Sequence, residues 1–149
     1  LNVVPPHGAG SIAHQAGVIN VDRRWAGVDF QTYESTAVPG IHVLGDATSA
    51  SPMPKSAHSA NNQAKIAASA IIAGLRGNPP TAVPVSANTC YSFVSPSEAV
   101  HVAAVYRYDP GKKTIVTADG TLGVSAARNT AEALFALSWA ENIWRDVLG

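Results

Sequence analysis

The sequence predicts an α/β segment followed by an α+β domain. Three observations predict it: an apolar run ending in Gly-Asp ahead of a long alanine-rich stretch, a proline-rich break near residue 79, and alternating strands that close on a helix. The 149 residues are 46% hydrophobic and 13% charged, with ten Lys+Arg against ten Asp+Glu. That balance excludes a disordered or coiled-coil chain and a phosphate-tracking surface, so no nucleic-acid partner is expected. The length fits one domain or two small ones with a real core. A single cysteine excludes an internal disulfide framework and leaves open a disulfide to another chain or segment. No apolar run approaches the ~20 residues of a membrane span. Leu1-Asn2-Val3-Val4-Pro5-Pro6 has neither Met nor a signal-peptide layout, as expected of a chain that starts midway through a longer one.

Leu1 to Val4 reads as a short strand stopped by Pro5-Pro6, and Ser11 to Gly17 as one or two helical turns closed by glycine. Val18 to Pro39 is turn-rich, with a short strand expected around Val28 to Phe30. Gly40 to Asp46 is the clearest strand of the first half. After Ser51-Pro52-Met53-Pro54, the stretch Lys55 to Leu75 is rich in Ala, Ser, Asn and Gln. It reads as a helix opened by Pro54 and ended by Gly77 and Pro79-Pro80. Strand, loop and long helix make half of a βαβ unit, which gives residues 1–78 as the end of an α/β region. Asn78 to Pro84 is a linker by composition.

Residues 79–149 read as a small antiparallel sheet with a helix on it. Strands are expected at Thr89 to Val94, Ala99 to Tyr108 and Thr114 to Ala118, with a turn at Asp109-Pro110-Gly111-Lys112. In the second strand, Val100, Val102, Ala104, Tyr106 and Tyr108 share one face. The closing helix, from about Asn129 to Leu148, is capped by Asn129 or Thr130. On it Trp144 shares a stripe with Leu137, Leu148 and, more loosely, Leu134, which places it in the core. Trp139 shares another face with Phe135 and is left to meet a ligand or partner.

Gly45-Asp46 has two readings. A glycine at a strand's carboxyl end lets a ligand approach the backbone, and the next Asp can accept hydrogen bonds from sugar hydroxyls. The other reading is a tight turn in which Asp46 caps a backbone group. In the helix that follows, Ala57, Ala60, Ala64, Ala67 and Ala68 form a stripe against which a ring or another backbone can press, and beyond Ala64 close packing on a sheet is the better account. The helix start presents N–H groups suited to negative charge. A lone cysteine, here Cys90, reads by itself as a small buried hydrophobe. His7, His14, His42, His58 and His101 show no metal-ligand spacing, no Ser-His-Asp set emerges, and no Gly-x-Gly-x-x-Gly loop is present.

A resemblance adds to these readings. Ile41 to Ala47, Ser51-Pro52-Met53-Pro54-Lys55-Ser56, Ser59-Ala60-Asn61, Asn88-Thr89-Cys90-Tyr91-Ser92 and Ser138-Trp139 are similar, in the same order, to the flavin-binding subunit of flavocytochrome c sulfide dehydrogenase, as is Val3-Val4-Pro5-Pro6. The resemblance spans essentially the whole chain and the C-terminal portion of that subunit. It implies an FAD site in which Gly45 and Asp46 hold the ribityl chain and Lys55 and Ser56 approach the pyrimidine side of the ring. It further implies that Cys90 is half of a redox-active disulfide and that Trp139 lies near the flavin. The enzyme so implied is periplasmic and passes electrons from sulfide through the disulfide and flavin to haem c on a c-type cytochrome subunit. Its dinucleotide loop and second cysteine would lie on a flavoprotein segment upstream, so the isolated chain is expected to be inactive. His58 departs from the family, which has tyrosine there, and Trp144 and Arg145 have no counterpart. Two other readings stay open: a non-catalytic docking module for a cytochrome, and a part of another flavin disulfide-oxidoreductase relative.

Overall fold

A computed structural model describes residues 3–149. Short-range chemistry organises the first half. Helix α1 (Ser11–Gln15) is followed by Gly17 at φ +72°, as expected for a glycine-closed helical turn. Strands β1 (Ile19–Val21) and β2 (Trp25–Ala26) pair as a small antiparallel hairpin whose turn places Asp22 and Arg23 at positive φ. From there to residue 56 the chain holds itself by turns and isolated bridges: Val28 with Ser35, Glu34 with His42, and Ala26 with Thr48.

Two expected strands are therefore not formed, and half of a third, Leu1 to Val4, lies outside the described residues, namely Leu1 and Asn2. Among the described residues Val3 and Val4 are exposed and unpaired. Val28 to Phe30 shrinks to one bridge. Gly40 to Asp46 keeps one bridge at His42, then tightens into a 3-10 turn at Gly45–Ala47. The reason is the lack of a neighbouring strand. Only the short stretch around Tyr33 runs alongside, where Ser35 N–H donates to the Ile41 carbonyl at 2.7 Å and Val43 N–H to that of Tyr33 at 2.9 Å. The apolar residues of these runs are still used for packing, since Val28, Phe30 and Tyr33 are buried and Val43 packs against them. Among the described residues the strand ladders are antiparallel and the one parallel pairing is the isolated bridge of Ala26 with Thr48, so the described architecture is α+β.

Helix α2 (Ala57–Leu75) begins two residues later than Lys55 because Ser56 is its cap, with Oγ accepting the Ser59 N–H at 3.0 Å. Its buried side chains are Ser59, Gln63, Ala67 and Ala70, a stripe at spacings of four, four and three. Gly77 at φ +72° follows its end, ahead of Pro79-Pro80.

The sheet of the second half is longer than the pattern predicts. Strand β3 (Val85–Ser95) pairs with β4 (Glu98–Asp109), setting Cys90 opposite Val102 and Asn88 opposite Ala104. On its other side β4 pairs with β5 (Thr114–Thr117) and β6 (Gly123–Val124). Between β4 and β5, Asp109 Oδ1 accepts the N–H groups of Gly111 and Lys112, which makes the expected turn. Ala104, Tyr106 and Tyr108 are buried on one face in a cluster with Phe30, Tyr33, Met53 and Ala67, so a single core draws on both halves.

Helix α3 (Thr130–Leu148) is capped by Asn129, whose Oδ1 accepts the Glu132 N–H at 2.9 Å. It lies on β4 through Ala133 and Ala136, both buried. Here the expected faces are exchanged. Trp144 is 63% exposed and Leu134, Leu137 and Leu148 are exposed with it, whereas Trp139 is partly buried against His58 and Tyr91. The helix is apolar on two sides, and small side chains let it approach the sheet more closely than the leucine stripe would.

Candidate functional site

The turn after the Ile41 to Leu44 run is built around Gly45. Its φ of +71° is one that glycine adopts without steric cost, and a Cβ there would stand 3.5 Å from that of Ala60. Two of the stripe alanines thus serve packing: Ala60 receives the turn and Ala67 lies in the core. The Gly45 N–H donates to Gln63 Oε1 at 2.6 Å, and Gln63, 2% exposed, gives its Nε2 to Met53 Sδ at 3.4 Å. Lys55 ties this turn to the start of α2. Its ammonium donates to the carbonyls of Asp46 at 2.6 Å and Thr48 at 2.7 Å and lies 3.7 Å from the centre of the Trp25 ring. Burial lowers the Lys55 pKa, and the charge of Asp46 works against that shift. Gly45, Trp25, Thr48, Lys55, Ser56 and Gln63 are among the residues around a cavity of about 220 Å³. Asp46 follows Gly45 in sequence but does not line this cavity; its carboxylate is exposed and accepts no hydrogen bond from the described residues.

A second cavity, of about 310 Å³, lies between the start of α2, the edge strand β3 and α3. Ser56, His58, Cys90, Tyr91 and Trp139 line it, so Ser56 belongs to both cavities. Cys90 is a free thiol, partly buried, whose Sγ accepts from Asn88 Nδ2 at 3.2 Å. His58 Nδ1 accepts the Thr89 N–H at 3.0 Å, which leaves the proton of the neutral ring on Nε2. Burial lowers the His58 pKa, and the Lys65 charge adds to the effect. The His58 ring meets Trp139 edge-on with centroids 5.9 Å apart, and Trp139 in turn lies 6.3 Å from Tyr91. On β4, the Tyr106 phenol is pushed up by burial and then by the charge of Cys90.

A third group can be excluded as a catalytic triad. Ser125 Oγ donates to Glu132 Oε2 at 2.6 Å, yet both atoms meet the same His101 nitrogen, Nδ1, at 3.0 Å. A relay needs serine and carboxylate on opposite ring nitrogens, so this cluster is a clamp between β4 and α3.

The structure thus gathers Gly45, Lys55 and Ser56 at one cavity and Ser56, Cys90 and Trp139 at the other, with Asp46 lining neither. Sequence reasoning missed Trp25, Gln63 and Asn88. Asn88 could have been found from the strand period, two residues before Cys90 on one face, and Gln63 from its place four residues after Ser59 on α2. Trp25 carries no such signal, because only the tertiary fold brings it to Lys55. Residues 82–148, which include Cys90 and Trp139, match the family model described as flavocytochrome c sulphide dehydrogenase, flavin-binding. The match covers the β3 to β6 sheet with α3 and does not extend over the first half of the chain.

Proposed function

We propose that the chain forms one wall of an FAD site in a sulfide-oxidising flavoprotein, with Cys90 as the residue that handles sulfur. The observation carrying this reading is that Ser56 lines both cavities, so a ring at the Gly45 turn and the start of α2 would lie next to the sulfur of Cys90. The match of residues 82–148 to a flavin-binding family model supports the flavin. The size of the first cavity, about 220 Å³, supports a shared site, since pockets that enclose a whole ligand run to roughly 300–1,000 Å³.

The residues fit such a group in kind. The exposed Asp46 carboxylate is a free acceptor for ribityl hydroxyls. Ser56 and the first N–H groups of α2 would face the pyrimidine edge, where the helix N-terminus favours negative charge. When bound, FAD supplies acceptance of an electron pair from sulfur and its release one electron at a time. The chain's own residues bind, orient and exclude water. Cys90 would pair with a cysteine of an upstream segment, and a c-type cytochrome carrying haem would receive the electrons, in the periplasm.

The test is made in the complete subunit. Cys90→Ser is expected to retain FAD and lose sulfide-dependent flavin reduction, because serine cannot form the disulfide. Asp46→Ala is expected to weaken FAD retention by about 1.5–3 kcal/mol, the worth of a hydrogen bond to a charged group. Normal sulfide turnover by the serine variant returns Cys90 to the role of a packed thiol.

A second reading, a docking module for the cytochrome, is favoured by the exposed Leu134, Leu137, Trp144 and Leu148 of α3. Under it, Leu137→Glu with Trp144→Glu abolishes cytochrome binding and leaves flavin reduction by sulfide intact.

A further inference from the structure

Asn88 is 2% exposed and lies two residues before Cys90 on the same face of β3. Two serines at the start of α2 set the direction of its amide. Ser56 Oγ accepts the Ser59 N–H at 3.0 Å and directs its own proton to Asn88 Oδ1, with which it makes a close hydrogen bond, in preference to Ser59 Oγ at 3.1 Å. Ser59 Oγ stands 3.4 Å from the same oxygen. With Oδ1 engaged by the serines, Nδ2 is left to face the thiol and donates to Sγ at 3.2 Å. The return contact from Sγ to Oδ1 is longer, 3.7 Å.

We propose that Asn88 is a positioning residue for Cys90: held by Ser56, it fixes the sulfur's rotamer and one of its lone pairs at the wall of the second cavity. A cysteine on a strand otherwise has more than one χ1 well open to it. Because Ser56 also lines the first cavity, the orientation of the sulfur is tied to the place where the ring would sit. The functional weight of this role rests on the reading of Cys90 as the sulfur-handling residue. The orientation itself does not.

Cys90 is the only cysteine of the 149, so its chemistry can be followed directly in this chain. The probe is 4,4′-dithiodipyridine at one neutral pH. Sγ attacks the probe's S–S bond, a mixed disulfide forms as that bond breaks, and one pyridinethione leaves with the thiol proton. Asn88→Asp, which removes the N–H donor at nearly constant shape, is expected to react about tenfold more slowly, and Ser56→Ala roughly threefold. Both are expected to move the infrared S–H stretching band, which a purely structural asparagine would leave in place. Ser56→Thr, keeping the hydroxyl, is expected to restore rate and band. A wild-type rate with an unmoved band in Ser56→Ala overturns the proposal, and that variant decides the matter even if Asn88→Asp does not fold. No cofactor takes part, so a failure of the flavin reading leaves these measurements standing. A failure here likewise leaves the sulfide-reduction test untouched.

Discussion

In residues 85–148 long regular elements carry the backbone pairing: β4 pairs with β3 on one side and with β5 and β6 on the other, and α3 lies along it. In residues 3–56 the partners are turns, isolated backbone bridges and, at several turns, single side chains. Asn20 Oδ1 takes the Gly27 N–H, Asp29 Oδ1 that of Gln31, Glu34 Oε1 that of Gly40, and Gln63 Oε1 that of Gly45. The difference teaches where stability is stored. One region distributes it over a periodic surface, and the other concentrates it in a few polar contacts that each hold one turn.

The comparison is sharpest where a core residue is set against a polar one. Ile115→Ala removes a side chain 2% exposed on β5, in the buried cluster with Tyr106 and Tyr108, and is expected to cost about 2–5 kcal/mol in denaturant unfolding. Gln63→Ala loses one acceptor and leaves the Gly45 N–H without its partner, an expected cost of about 1–3 kcal/mol. A loss larger for Gln63 than for Ile115 would break the distinction. The tryptophans of α3 test the exchanged faces. Trp144→Ala is expected to change stability by no more than about 0.5 kcal/mol. Trp139→Ala, which removes the ring packed against His58 and Tyr91, should lower the melting temperature further, and the reverse order would restore the leucine stripe as the packed face.

The smallest effect is a pH dependence at the seam between the two regions. His58 has its folded-state pKa lowered by burial, so the unfolded chain takes up a proton first as the solution is acidified. The stability it contributes is full above its ordinary value of about 6.5 and is lost as pH falls through the folded value. Glu132 and Asp146 are also lowered, the first by the Ser125 hydrogen bond and the second by that of Lys65, and they act in the more acidic carboxylate range. Melting curves from about pH 7 to about pH 5 should therefore show a fall that His58→Gln makes shallower, with Gln able to accept the Thr89 N–H in place of Nδ1.

What was legible in the sequence follows the same division. Helices α2 and α3 and strands β3 to β5 were readable because side-chain period, caps and turn residues all pointed the same way. The run Gly40 to Asp46 was misread as a strand because a short apolar stretch carries no mark of whether a neighbour runs beside it. On α3 the period showed two apolar stripes, and only the fold chose the alanine side over the leucine side. At the candidate site, the strand-end pattern pointed to Gly45 and the helix face to Trp139, while Lys55, Ser56 and Cys90 were singled out by the family resemblance. The helical period marks the buried side of Gln63 but not its partner Gly45, 18 positions away, and Trp25 meets Lys55 across 30 positions with no local pattern to show it.

The three tryptophans also make the molecule its own optical instrument. Trp25 carries the Lys55 ammonium over its ring and borders the first cavity, Trp139 sits between His58 and Tyr91 at the second, and Trp144 stands in water. Iodide in solution would quench Trp144 first and leave a residual emission belonging to the other two. With Trp144 replaced by phenylalanine, acidification would dim or shift the component beside the histidine, whereas filling the first cavity would disturb the one beneath the ammonium. Occupancy of each cavity could then be followed separately, without a label, in the unmodified backbone.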